Sequence, residues 1–180
     1  MDNQKLMNTS YGHPPIHRST DAPFLPVGMG EGIVTRAPQI ISSLGLGSCV
    51  AVTIYDAKRK IGGLAHITLP DSNSLNGCRP PYQCADTAIA ALLGELQSKG
   101  AVRRDTVAKM VGGAQMFSSN ENSSSGIGQQ NIISIKHILN GKQIPLIGED
   151  TGGHHGRNIE FYLDSGKLII KAIGKEAREI

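Results

Sequence analysis

The chain has 180 residues and a mass of 19.1 kDa, which suits one domain, because domains cluster near ~100–150 residues and a second core needs more chain. With 39% hydrophobic and 18% charged residues, 22 glycines, 9 prolines and no tryptophan, it reads as globular and turn-rich rather than disordered. A net charge of +3 is too small and scattered for the basic stripe that nucleic acid requires, and no apolar run approaches the ~18 residues of a membrane span, so no nucleic-acid partner and no direct membrane insertion are expected.

Residues 1–28 mix Asn, Ser, Thr, Pro and His without periodicity, and Pro14, Pro15, Pro23 and Pro26 oppose a helix or a central strand. This segment is expected to be a flexible N-terminal extension, with one folded domain over 29–180. It lacks the charged and apolar regions of a secretory signal, so the expected compartment is the cytoplasm. Next come two β-like runs, Ser48 to Tyr55 and Ile61 to Leu69, around Asp56-Ala57-Lys58-Arg59. From Asp86, the apolar residues Ile89, Leu92, Leu93 and Leu96 fall at helical spacing, and Gly100 closes the helix. Val107 to Val111 reads as a buried strand ending at Gly112-Gly113, and Ser118 to Gly128 as a polar loop. A second helix carries Ile132, Ile133, Ile135, Ile138 and Leu139 and ends at Gly141. Ile144 to Gly148 reads as a strand, and Asn158 to Leu163 with Lys167 to Ala172 as a closing hairpin. Strands outnumber helices without strict βαβ alternation. The expected class is therefore α+β: layered, sandwich-like sheets flanked by two main helices.

The first hairpin carries the chemistry. A loop of residues 56–59 pairs Tyr55 with Lys60, and the same register sets Cys49 opposite His66, Cβ atoms ~4.5–5.5 Å apart. Alternation places Val50, Val52 and Ile54 on one face with Ala65, Gly63 and Ile61. It leaves Cys49, Ala51 and Thr53 on the other with His66 and Leu64. An imidazole beside a thiol takes its proton, and the resulting ion pair is expected to lower the thiol pKa. The preceding Leu44-Gly45-Leu46-Gly47-Ser48 offers backbone amides for an oxyanion, with Gly47 and Ser48 the nearest candidates. Either Ser42 or Ser43 offers a hydroxyl to orient the imidazole. A dinucleotide-binding reading of Gly45 and Gly47 fails, because position 50 is Val and a strand follows where a helix is required.

The run Leu44-Gly-Leu-Gly-Ser-Cys49-Val-Ala-Val, followed by Gly62-Gly-Leu-Ala-His66-Ile-Thr-Leu-Pro-Asp71, resembles the signature of the CheD family of bacterial chemoreceptor glutamine deamidases. Tyr82 with Ala85-Asp86-Thr87-Ala88, Gly112-Gly-Ala-Gln-Met-Phe117, Ile127-Gly128 with Asn131, and Gly148-Glu-Asp-Thr-Gly-Gly153 with Arg157 follow in family order. The resemblance covers roughly residues 30–175 and implies a CheD-like cysteine hydrolase that converts receptor glutamines to glutamate. It places the nucleophile at Cys49 and the histidine at His66. The family's threonine, six positions before the cysteine, is here Ser43, which keeps the hydroxyl and loses the methyl. The resemblance further implies chemoreceptor cytoplasmic helices as substrate, association with the CheC phosphatase, and a partner-contacting loop with Gly113, Met116 and Phe117. Gly152 and Gly153 are expected at the rim of the same site. The mechanism calls for neither metal nor organic cofactor. Two alternatives stand beside it: a non-catalytic adaptor of the same fold that binds receptors or CheC, and a receptor methylesterase.

Cys78 and Cys84, spaced C-x5-C, are wider apart than the tight pairs of structural zinc sites, and with Cys49 they make an odd number in a chain without an export signal. All three are expected as free thiols. His154 and His155 in their glycine-rich stretch are expected in a solvent-exposed turn.

Overall fold

The computed structural model describes residues 24–73, 81–115 and 126–180. Ten strands and two helices run in the order β1 (Phe24–Pro26), β2 (Gly32–Arg36), β3 (Ile40–Leu46), β4 (Val50–Asp56), β5 (Ile61–Ile67), α1 (Ala85–Ser98), β6 (Thr106–Gly112), α2 (Ile127–Gly141), β7 (Leu146–Thr151), β8 (Arg157–Tyr162), β9 (Leu168–Lys171) and β10 (Arg178–Glu179). They form two five-stranded sheets, β1-β3-β8-β9-β10 and β2-β5-β4-β6-β7. This is the α+β layered architecture that the sequence leads one to expect, with both helices on one side.

Alternation along β4 builds the layers. Val50, Val52 and Ile54 join Ile61 and Ala65 under Ile89, Leu92 and Leu96 of α1 and Ile132, Ile135 and Leu139 of α2. The other face, Ala51 and Tyr55 with Leu64, meets Ile41, Leu46, Ile159 and Phe161 of the opposing sheet. All seven residues of β4 and all seven of β5 are buried, as a strand covered on both faces requires. The order of layers is therefore helices, sheet, sheet, and a polar side chain on the inner face of β5 lies between two sheets.

Three expectations need correction. First, the β4–β5 hairpin pairs Asp56 with Ile61, so the loop is residues 57–60 and His66 lies opposite Ala51, not Cys49. The cause is Asp56, whose buried carboxylate accepts from the Lys58 and Arg59 amides at 3.1 Å each, closing the turn one residue later with Lys60 at φ 52°. Every partner moves by two, which preserves the faces and leaves Cys49 diagonal to His66 rather than directly across. Second, the fold begins before residue 29: Phe24–Pro26 pairs in parallel with Ile40, Ile41 and Ser42, and Val27 is buried. Proline tolerates such an edge strand, as Pro26 does at the end of β1. Third, Cys84 is disulfide-bonded, so the expectation of three free thiols does not hold; Cys49 is free, and Cys78 lies outside the described residues. Among the described residues no helix is long and apolar enough to cross a membrane.

Candidate functional site

The site forms where β3 and β5 face each other across the two sheets. Ser43 projects from β3 and His66 from β5, and both are buried, 1% and 0% exposed. Between them runs a 2.9 Å hydrogen bond, Ser43 Oγ to His66 Nδ1, while Ser43 Oγ also lies 2.8 Å from the Val27 carbonyl. A hydroxyl has one proton, and a carbonyl can only accept it, so Ser43 donates to Val27 and must accept from His66. The imidazole therefore carries its proton on Nδ1 and presents the Nε2 lone pair. Nε2 is buried and has no hydrogen-bond partner among the described residues. Of the two serines that sequence leaves open, Ser43 makes this contact.

Cys49 occupies a bend between β3 and β4 and is half-buried. Just before the bend the β3–β8 register shifts between Ser43 and Leu46, and the Gly45 amide is held by Asn158 Oδ1 at 2.9 Å. The far side is fixed by the end of β6. The Gly113 amide donates to the Cys49 carbonyl at 2.8 Å, and the Ala114 amide to the Gly47 carbonyl at 2.7 Å. Gly112 makes the approach feasible: its φ is +122°, and a Cβ there would sit 2.2 Å from the Cys49 carbonyl oxygen.

Burial dominates the titration of both groups. It pushes the Cys49 thiol above its ordinary value, against a smaller opposing effect of the residue's own backbone amide. It also lowers the His66 imidazole, which the Val27 carbonyl only partly offsets. Both shifts favour the neutral forms, opposite to the direction expected of a thiolate–imidazolium pair.

A cavity of about 370 Å³ adjoins Ser48, the residue before Cys49. Its walls are Gly113 to Gln115, the first turn of α2 from Gly126 to Gln129, and Gly152 to His154. Gly113, Gly152 and Gly153 line this cavity, whereas Met116 and Phe117 lie outside the described residues. The Gly47 amide donates to the Gly45 carbonyl at 2.9 Å, so, contrary to expectation, it is not free to hold an oxyanion. Arg157, 4% exposed, shapes the opposite wall by donating to Asp150 Oδ1, the Gly152 carbonyl and the His155 carbonyl. His154 leans on the Gln115 carbonyl at 3.0 Å.

Two residues that sequence leaves without a role join the site: Val27, through its carbonyl, and Asn131 of α2, which donates to the Ser48 and Thr68 carbonyls at 3.1 Å each. Asn131 appears in the sequence as a polar position inside an apolar helix, and that alone marks it for attention.

Residues 68–172 match the family model described as CheD chemotactic sensory transduction. Among curated proteins, the probable chemoreceptor glutamine deamidase CheD of Caldanaerobacter subterraneus is 43% identical over 161 residues, 89% of this chain and 99% of that protein. The protein of the same name from Moorella thermoacetica is 44% identical over 156 residues, 86% of this chain and 93% of that protein. That of Lachnoclostridium phytofermentans is 41% identical over 155 residues, 86% and 96% of the two chains. Among solved structures, the Bacillus licheniformis hypothetical protein YfiH superposes with a TM-score of 0.42 at 15% identity, over 66% of this chain and 49% of that one, a likeness too slight to inform the site.

Proposed function

The chain belongs to the CheD family, and on that premise we propose that it deamidates glutamine side chains of chemoreceptors, with Cys49 as nucleophile, His66 as base and Ser43 as the residue that orients the imidazole. The observation that carries the triad is the directed chain from His66 Nδ1 through Ser43 to the Val27 carbonyl, which leaves Nε2 as a buried base without a partner among the described residues.

In this reading the Cys49 sulfur attacks the glutamine carboxamide carbon while its proton passes to His66 Nε2. The C–S bond forms, the carbonyl electron pair moves to oxygen, and the Ser48 and Cys49 amides hold that oxyanion. Collapse of the intermediate breaks the C–N bond, and the imidazolium returns the proton to the departing ammonia. Water, deprotonated by the same Nε2, then cleaves the thioester to glutamate and restores the thiol. In this reading thiol and imidazole both start neutral, as the raised thiol and lowered imidazole favour, and proton transfer accompanies attack. A glutamyl methyl ester enters the same sequence with methanol leaving in place of ammonia, so methylesterase activity on receptors belongs to the same proposal. So does association with a CheC-type phosphatase, which co-purification with that protein would test.

The test incubates the protein with cytoplasmic fragments of its organism's chemoreceptors and follows Gln-to-Glu conversion by mass spectrometry. The parent should convert a defined subset of glutamines, Cys49→Ala none, and Ser43→Ala at a rate lower by roughly 10²–10⁴-fold, the range of a base that has lost its orientation. Ser43→Thr should retain activity. Conversion undiminished in Cys49→Ala would reject the nucleophile.

A further inference from the structure

Three consecutive carbonyls of the bend that carries the nucleophile are each held by a donor from the region of β6 and α2. The Gly47 carbonyl accepts from the Ala114 amide at 2.7 Å and the Cys49 carbonyl from the Gly113 amide at 2.8 Å. Between them, the Ser48 carbonyl accepts from a side chain, Asn131 Nδ2, at 3.1 Å. The same nitrogen donates at 3.1 Å to the Thr68 carbonyl, two residues beyond His66. One buried amide thus ties the segment before Cys49 to the segment after His66.

The orientation of this amide is set by its partners. Both are carbonyl oxygens, so the side chain must present its NH₂ to them. Its Oδ1 is then buried with no hydrogen-bond partner among the described residues, and the side chain is 0% exposed. An orphaned buried acceptor is destabilising, a cost that a leucine at a merely packed position would avoid. The position of α2 is equally constrained. Its first turn sits so close to the end of β6 that a Cβ on Gly128 would lie 2.6 Å from the Gly113 carbonyl oxygen. Asn131 is therefore held rigidly at the depth where it reaches the bend.

A trans peptide is planar, and its C=O and N–H point in opposite senses. Holding the Ser48 carbonyl therefore fixes the direction of the Cys49 N–H, because the two belong to one peptide unit. We infer that Asn131 is a positioning residue for acyl transfer: it locks the Ser48–Cys49 peptide so that the Cys49 amide faces the developing oxyanion. The inference rests on Cys49 being the nucleophile of the proposed reaction. Asn131 touches neither substrate nor sulfur in this role.

Two reactions of Cys49 separate this role from general support of the fold. Acylation by p-nitrophenyl acetate forms a C–S bond, passes through an oxyanion and expels nitrophenolate. Alkylation by iodoacetamide forms a C–S bond by displacement of iodide and passes through none. In Asn131→Ala, acylation should fall roughly 10–100-fold, somewhat less than the loss of a whole oxyanion donor, while alkylation at the same pH stays within about twofold. Asn131→Ser, which keeps one donor, should fall between Ala and the parent, and it decides the matter alone if the Ala variant does not fold. Rates are taken per folded molecule by circular dichroism. With receptor fragments, kcat should fall in step with acylation and KM stay nearly unchanged. Acylation and alkylation that fall together, or acylation that does not fall, would overturn the inference. So would a parent that is acylated no faster than Cys49→Ala. A parent that is acylated at Cys49 but leaves receptor glutamines intact would instead overturn the substrate assignment and not the role of Asn131.

Discussion

At the scale of the residue, the site depends on the direction of two protons. Ser43 donates to the Val27 carbonyl and accepts from His66 Nδ1, so Nε2 is the nitrogen left for the proposed base. Residue types alone leave Ser42 and Ser43 open and only the family resemblance points to Ser43, because the choice depends on which strand face meets the second sheet. The direction of the pKa shifts was hidden for the same reason: a Cys–His pair reads as an ion pair until burial from two sheets is included. The shifts predict the pH dependence. His66 lies below its ordinary 6.5, so the acid limb of kcat/KM should have its midpoint below 6.5. Cys49 lies above its ordinary 9.0, so alkylation by iodoacetamide, which requires thiolate, should have its midpoint above 9.0. An alkylation midpoint near neutrality would mean a preformed ion pair. Stability follows the same sign. Below pH 6.5 the unfolded chain binds a proton at His66 that the folded one refuses, so His66 contributes nothing above that pH and destabilises progressively below it, down to its folded pKa.

At the scale of the element, the hairpin shows what alternation can and cannot specify. The faces of β4 and β5 follow from the period of two, and Val50, Val52 and Ile54 do lie on the helix side. The register follows from the turn, where a single carboxylate decides. Asp56 accepts from the Lys58, Arg59 and Val102 amides and from the Arg59 guanidinium. Burial raises its pKa, but these donors outweigh burial and hold it below the ordinary carboxylate value. Asp56→Ala leaves the buried turn without its acceptor and should destabilise the fold by about 2–3 kcal/mol in urea denaturation, with Asp56→Asn, which keeps one acceptor oxygen, costing less. A change below about 0.5 kcal/mol would mean that the turn is set by something else. Both helices were legible from their spacing, although α2 starts at Ile127, inside what reads as a polar loop. Gly128 in its first turn lets it pack against the end of β6, a contact that no local pattern announces.

At the scale of the whole molecule, the geometry of the proposed triad is a property of the sandwich rather than of the hairpin. Ser43 and His66 come from different sheets, and the carbonyl that receives the Ser43 proton comes from residue 27, within a proline-containing stretch that reads as an extension. A chain that begins at residue 29 lacks β1 and the Val27 carbonyl. It should lose at least about tenfold in kcat, as a base does when its orientation is released, and an undiminished rate would show that Val27 has no part in the site. The residues of the proposed triad stand out in the sequence because Cys49 and His66 lie in two recognisable runs with Ser43 just before the first; their assembly does not, because it needs the second sheet and the distant Asn131. In the proposed mechanism Cys49 carries the acyl group. Quenching the protein in acid during turnover of a receptor fragment, then mapping its peptides by mass spectrometry, tests this directly. The predicted result is a glutamyl thioester on the peptide that contains Cys49, with none formed and no turnover in Cys49→Ala. Turnover by Cys49→Ala at the parent's rate would contradict it.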